Sequence, residues 1–407
     1  MKLLKVHLKV VSLRRFFLKM KRYNFNDIIP RRNTNCLKWD ALADFFDTDD
    51  VIPLWVADMD FRTPDFIIEA LRKRLDHEIL GYHFHPESFY QALQQWVWRR
   101  AQWKIELADM TFSPGIVPAI NFAVKALTDK GDKIMINQPV YHPFIFAVND
   151  HKRQLVNNPL KETAGRYTLD FDDFEKKLSD GVKMYILCSP HNPVGRVWRC
   201  DELKRIGELC VKYDVILLAD EIHSDLILKP HKYIHIASIS PEISQQTLTF
   251  LAPSKTFNLA GVFTSVVHSE NKRLLDAFKQ YVNKMHLGHG NIFGDVALEA
   301  AYTHGDEWLR QLLDYVGGNC DFVIAFLKEH IPVITTEKPE GTYMMWLDCR
   351  RLNLSSKKLD HFMIKKAGLA LNSGHIFGSE GNGFMRLNVA APRSIIATAL
   401  QQLAKAL

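Results

Sequence analysis

Three residues that each follow an apolar run carry the chemistry this chain could perform: Asn192, Asp220 and Lys255. Asp220 closes the run Val215-Ile-Leu-Leu-Ala219, which reads as a buried strand, so the carboxylate stands at the strand's carboxyl end, the edge of an open α/β sheet where ligands bind. There it can hold a proton on a ring nitrogen and keep that ring electron-poor, or it can merely cap the helix that follows. Lys255 lies in Leu251-Ala-Pro-Ser-Lys-Thr-Phe257, again just past an apolar run. A lysine so placed, desolvated and beside a cationic ring, is a nucleophilic amine near neutral pH, whereas most lysines are solvated surface charges. Asn192 sits in His191-Asn-Pro-Val-Gly195 beyond the run Lys183 to Cys188, and its amide can donate to a ring oxygen or simply mark a turn. An amine, an acid and an amide at three strand ends are the set that a protonated pyridine aldehyde requires.

An anionic group on such a ring needs its own cradle. Ser113-Pro-Gly-Ile-Val117 offers Gly115 as a turn leading into a helix, so the free N–H groups at Ile116 and Val117 and the positive end of the helix dipole attract an anion. By itself this is no stronger than any glycine before a helix. Tyr141, in Gln138-Pro-Val-Tyr-His-Pro143, can stack on a planar ring or serve the core.

The elements that must position these groups follow an α/β pattern. Strands are expected at 133–137, 183–188, 214–219, 248–252 and 264–268, with helices at about 65–78, 116–129 and 201–213 between and before them. Alternating strands and crossover helices imply a largely parallel sheet. After Thr303 the pattern changes to a long helix over about 305–330, strand-like runs at 341–348 and 384–390, and helices at about 356–367 and 392–406, which reads as a second α/β domain.

With 407 residues and 47% hydrophobic content, the chain can bury a large core, which excludes a disordered or fibrous protein. No apolar run reaches the roughly 18 residues of a membrane span, so a soluble, membrane-free protein is expected. The net charge of +6 comes from residues 1–20, which hold six basic residues and no acid; the remaining 46 basic and 46 acidic residues balance. Nothing in the body of the chain therefore points to nucleic acid. Residues 1–20 are interrupted too often by Lys and Arg for a signal peptide, and read as an extension or as sequence upstream of a start at Met20. The six cysteines are scattered, with no Cys-x-x-Cys pair, so reduced thiols, a cytoplasmic location and no metal are expected.

Seven ordered stretches, Trp55-Val-Ala-Asp-Met-Asp-Phe61, Gly81-Tyr82, Ser189-Pro-His-Asn-Pro-Val-Gly-Arg196, Ala219-Asp-Glu-Ile-His-Ser-Asp-Leu226, Ala252-Pro-Ser-Lys-Thr-Phe-Asn-Leu-Ala-Gly261, Gly341-Thr-Tyr-Met-Met-Trp-Leu-Asp348 and Met385-Arg-Leu-Asn388, carry a resemblance. Over nearly all of residues 21–407 the chain resembles the pyridoxal phosphate-dependent class I/II aminotransferase superfamily, and within it the MalY/PatB group of cystathionine β-lyases, or carbon–sulfur lyases. The resemblance implies an aspartate-aminotransferase-like fold, with 66–304 as the large cofactor-binding domain and 21–65 with 305–407 as the small one. It implies pyridoxal 5′-phosphate in Schiff-base linkage to Lys255, which would then shuttle the substrate α-proton. Asp220 would pair with the pyridine nitrogen, Asn192 would contact the ring oxygen and help seat the substrate, and Tyr141 would stack on the ring. Arg386 would clamp the substrate carboxylate as a bidentate fork. Gly115, Ile116, Val117 and Ser254 would bind the phosphate, with Ser254 carrying more of the charge because Ala252 stands where many relatives have a serine. His223 occupies the place of a tyrosine near the ring oxygen in aspartate aminotransferase-like relatives, and the resemblance leaves open whether it donates or packs. Tyr82 would reach the phosphate of the neighbouring subunit of a homodimer. The implied activity is α,β-elimination of cystathionine or another S-substituted cysteine to a thiol, pyruvate and ammonia; an aminotransferase using the same groups is the competing expectation.

Overall fold

The structure, a computed structural model, describes residues 21–407, so the expected N-terminal extension lies outside the described residues. The apolar runs assemble into a seven-stranded sheet of β1 (Met110–Ser113), β2 (Lys133–Ile136), β3 (Gln154–Asn157), β4 (Val182–Cys188), β5 (Ile216–Asp220), β6 (Thr247–Leu251) and β7 (Ser265–His268), in the order β1-β7-β6-β5-β4-β2-β3. The pairs from β3 through β6 are parallel, and β7 is antiparallel to both β6 and β1. The five strands expected for this sheet all form, within one or two residues of their predicted ends. β1 and β3 lie outside the runs from which strands are expected. Both are edge strands and need no unbroken apolar run, unlike the central strands covered on both faces.

Alternate residues of each central strand pack against different helices, as the two-residue period of a pleated strand requires. Leu218 and Ile186 join Ile116, Ala123, Phe144 and Phe278, whereas Leu217, Ala219 and Tyr185 join Phe174, Leu203 and Ile206. The helices are α1 (Asp65–Leu75), α2 (Glu87–Ala101), α3 (Ile116–Leu127), α4 (Pro143–Asn149), α5 (Phe171–Ser179), α6 (Cys200–Lys212), α7 (Lys272–Lys284), α8 (Ile292–His304) and α9 (Asp306–His330). By this parity Asp220 and Cys188, two residues beyond Leu218 and Ile186 and paired in register, face the side on which α3 begins.

The C-terminal part holds a three-stranded antiparallel sheet of β8 (Met344–Asp348), β9 (Asn372–Ser373) and β10 (Phe384–Asn388), with β10 in the middle. The helix expected at 356–367 starts as α10 (Ser356–His361) and continues as a π turn at Phe362–Lys366, and α11 (Arg393–Ala406) ends the chain.

The segment 54–60 stitches the two sheets together. On one side, Asn388 Nδ2 donates to the carbonyl oxygens of Val56 (2.7 Å) and Asp58 (2.6 Å), and the Asn388 N–H donates to the Leu54 carbonyl at 2.9 Å. On the other, Asn258 accepts the Met59 N–H and returns a bond to the Met59 carbonyl, both at 2.9 Å. Beneath it, Lys38 is fully buried and pairs with Asp60, which Arg31 also holds; the two cations keep the Asp60 carboxyl below the usual carboxylate range. A buried lysine is tolerated only with such a partner.

Candidate active site

The strand ends on the α3 side open into a cavity of about 170 Å³. It is lined by nine of the residues singled out from the sequence: Gly115, Ile116, Val117, Tyr141, Asn192, Asp220, His223, Ser254 and Lys255. Asp220 ends β5 and is 3% exposed. Among the described residues its carboxylate accepts one hydrogen bond, from the Ile222 N–H at 3.2 Å, and burial, only partly offset by that bond and by the Lys255 charge, pushes its pKa up to about 7. A buried carboxylate with so little compensation is poised to meet a hydrogen-bearing cation.

Lys255 lies four residues past the end of β6, where the chain turns sharply before Gly261, and its Nζ donates to the Ala57 carbonyl at 2.8 Å. Burial and the Arg386 charge depress its pKa to about 8, with Asp58 and Asp220 pulling the other way. The amine is therefore largely available as a neutral nucleophile at mildly alkaline pH.

At the cavity's other end, Gly115 has φ +108°, a conformation that side-chain-bearing residues rarely adopt, and its N–H donates to Ser265 Oγ at 3.1 Å. The first-turn N–H groups of Ile116 and Val117 have no intrahelical acceptor, and they and the dipole end of the twelve-residue α3 face the cavity with Ser254.

Arg386, in the middle strand β10, is 4% exposed and lies behind the cavity rim. Its Nη1 donates to Asn192 Oδ1 (3.1 Å), and its Nη2 donates to the Trp55 carbonyl (2.9 Å) and Asn372 Oδ1 (2.5 Å), while Nε has no partner. With no carboxylate against it among the described residues, burial lowers its pKa to about 10. Asn192 thus couples the guanidinium to the cavity. Tyr141 is half-buried, and its hydroxyl is pushed up to about 12, first by desolvation and then by the Asp220 charge. His223 is buried with an unpartnered Nδ1, and burial together with the Lys255 and Arg386 charges holds it well below its ordinary pKa, so it stays neutral. Its ring meets the Tyr343 ring edge-on at 6.1 Å.

Tyr82 does not join this group in one chain: it is fully solvent-exposed, 104% relative to a free residue, and outside the cavity lining. Eight further lining residues carry no role read from the sequence, among them Cys188, Ile222, Phe263 and Thr264, the last with a buried hydroxyl unpartnered among the described residues. Ile222 could have been found from its spacing of two from Asp220, and Cys188 from closing the neighbouring run. Phe263 lies on a turn with no periodic signal, and Thr264 opens the strand expected at 264–268, where nothing marks its hydroxyl as facing a cavity.

The family model for aminotransferase class I and II matches residues 49–403. The chain belongs to this family. It is 40% identical over 385 residues to cystathionine beta-lyase PatB of Bacillus subtilis (strain 168), covering 94% of this chain and 100% of that protein. Protein MalY of Escherichia coli (strain K12) is 30% identical, covering 91% of this chain and 95% of its own length. Among solved structures, cystalysin from Treponema denticola, which contains pyridoxal 5′-phosphate, superposes with a TM-score of 0.93 at 37% identity, covering 95% and 99% of the two chains. The fold is therefore the aspartate-aminotransferase-like one that the motifs implied.

The residues present fit that cofactor. The cavity holds an anion cradle at one end, and its walls include an amine of depressed pKa and a buried acid with no cation in hydrogen-bonding contact.

Proposed function

We infer that this chain is a pyridoxal phosphate-dependent carbon–sulfur β-lyase, which releases a thiol, pyruvate and ammonia from cystathionine or a related S-substituted cysteine. The observation that carries this reading is that Lys255 and Asp220 line one cavity, in a chain with full-length likeness to a protein named cystathionine beta-lyase. When bound, pyridoxal phosphate supplies an electron-withdrawing ring that acidifies the carbon next to the substrate nitrogen.

The protein's own groups do the rest. Gly115, Ile116, Val117 and Ser254 hold the phosphate. Asp220 would keep a proton at the ring nitrogen, because that cation would compensate the desolvated charge of its buried carboxylate. Tyr141 backs the ring, and Asn192 meets the ring oxygen and steadies Arg386 through the 3.1 Å bond. Arg386 receives the substrate carboxylate, which supplies the anionic partner that its buried guanidinium lacks. Lys255 would hold the cofactor until substrate arrives and would then take the α-proton as general base. The C–S bond electrons leave with sulfur as a thiolate, and the enamine released takes up water to give pyruvate and ammonia. His223, neutral and with Nδ1 unpartnered among the described residues, would donate to the ring oxygen or pack beside it.

The arrangement of 66–304 as cofactor-binding domain and 21–65 with 305–407 as small domain goes with this reading, as does a cytoplasmic homodimer in which Tyr82 of one subunit serves the phosphate site of the other. In support, Ile79, Leu80, Tyr82, Phe84, Phe263, Met285 and Leu287 are large apolar side chains left exposed, and Phe263 also lines the cavity. Among the described residues no helix is long and apolar enough to cross a membrane.

An aminotransferase uses the same groups but needs a keto acid acceptor. The test is incubation of the holoenzyme with cystathionine and no keto acid. Continuous release of thiol and pyruvate is the expected result, and activity seen only on adding a keto acid would replace the lyase with the transaminase.

A further inference from the structure

Away from the cofactor cavity, three side chains able to bind a metal meet at the start of α8. His83 and His85 lie on the extended segment between α1 and α2, and their spacing of two puts both rings on one side of the backbone. Asp295, in the first turn of α8, has a side chain only 5% exposed. Its ion-pairing partners among the described residues are these two imidazoles alone. His85 Nδ1 lies 2.9 Å from Oδ2 and 3.0 Å from Oδ1, and His83 Nε2 lies 3.5 Å from Oδ2. No lysine or arginine contacts this buried carboxylate among the described residues.

The ring orientations narrow the choice. His85 Nε2 is 3.0 Å from the Gly288 carbonyl oxygen, so that nitrogen carries the hydrogen. In neutral His85 the Nδ1 lone pair then points at a carboxylate, and two acceptors at 2.9 Å need a cation between them, either a proton or a metal ion. A proton would serve His85 alone. It would leave His83 Nε2, which is shielded from solvent and makes no hydrogen bond, without a function. A metal ion serves all three atoms. Anchoring the far N–H of a ligating histidine on a backbone carbonyl is also the usual support of such a ligand.

We propose that His83 Nε2, His85 Nδ1 and an Asp295 carboxylate oxygen form a binding site for a divalent transition metal of the zinc and cobalt class. Bonds of about 2.0–2.2 Å at tetrahedral angles set ligand atoms about 3.3–3.6 Å apart, a range that the 3.5 Å separation of His83 Nε2 from Oδ2 meets and that the 2.9 Å separation of His85 Nδ1 reaches by a small outward shift. Two imidazoles with one carboxylate favour such ions over magnesium or calcium, and three protein ligands leave a fourth position for water. The site is structural in its placement. His85 stacks on Phe112 of β1, with ring centroids 4.1 Å apart, three residues before Gly115 of the phosphate cradle. A bound ion would pin the segment carrying the exposed Tyr82 and Phe84 to α8, directly behind that cradle.

The test uses the holoenzyme without a histidine tag, stripped with EDTA and titrated with Co(II) while visible absorption and metal content are followed. One Co(II) per chain with a four-coordinate absorption band is expected, displaced by Zn(II). Asp295→Asn and His83→Ala should each weaken binding at least about tenfold, the loss that even supporting residues produce. His330→Ala, at an exposed histidine on the end of α9, should change nothing. The His83 side chain is 16% exposed, so its replacement tests the site even where Asp295→Asn misfolds; circular dichroism and bound-cofactor absorbance verify each variant. Wild-type protein that takes up no Co(II), or variants that bind it equally well with the same spectrum, would overturn the proposal and leave a protonated His85 beside Asp295.

Discussion

Replacing Asp220 by asparagine separates what the carboxylate does for the cofactor from what it does to the fold. The side chain is buried, accepts one backbone N–H and has its pKa raised from 3.8 to about 7. The folded, cofactor-free protein therefore keeps this proton to higher pH than the unfolded chain does. The stabilisation it brings is complete below about pH 4 and is lost as pH rises through about 7. About 3 pH units at 1.36 kcal/mol each make about 4 kcal/mol, an upper figure because water entering the cavity screens the charge. Asparagine is neutral throughout and escapes this penalty. In urea unfolding followed by tryptophan fluorescence, cofactor-free Asp220→Asn should match the wild type near pH 4 and exceed it by up to about 4 kcal/mol at pH 8. With pyridoxal phosphate bound the ranking of function inverts, since asparagine cannot hold the ring proton, and turnover should fall at least about 100-fold. A stability difference that stays constant from pH 4 to 8 would refute the reasoning, because Asp220 would then carry no buried, uncompensated charge.

Arg386→Lys keeps the charge but loses the fork, so kcat/KM should fall about 10- to 100-fold, mostly through KM; an unchanged KM would place the substrate carboxylate elsewhere. Lys255→Ala should abolish turnover and the visible absorbance of bound cofactor, whereas Lys133→Ala, whose amine reaches only the Asp180 carbonyl at the surface, should leave both intact. Because the neutral amine is the nucleophile, the rate at which cofactor-free wild type takes up pyridoxal phosphate should rise with pH and level off above about 8, as stopped-flow absorbance would show.

The central strands and the groups at their tips were legible from the sequence, because a strand covered on both faces must be apolar throughout and any polar residue at its end stands out. Asp220 and Asn192 were visible for that reason. Lys255 was visible only as a lysine after a strand; what changes its chemistry is burial beside Arg386, which comes from β10, more than 130 residues away, and leaves no local pattern. Edge strands such as Gln154–Asn157 lack the apolar signature because solvent reaches one side of them. His83 and His85 were passed over because the carboxylate that gives them meaning lies on α8, over 200 residues later. Phe263 owes its place at the cavity to a left-handed turn at φ 45°, which a bulky aromatic does not announce.

The stitched segment 54–60 touches the chemistry from both flanks: its Trp55 carbonyl receives Arg386, and its Ala57 carbonyl receives both Lys255 and the Tyr343 hydroxyl, the latter at 3.0 Å. The guanidinium proposed to grip the substrate and the amine proposed to take its proton thus share one tether of three residues. Any rocking of the small sheet against the large one has to drag this strip along, so deuterium uptake at its amides would act as a gauge of how far the two halves part during each catalytic cycle.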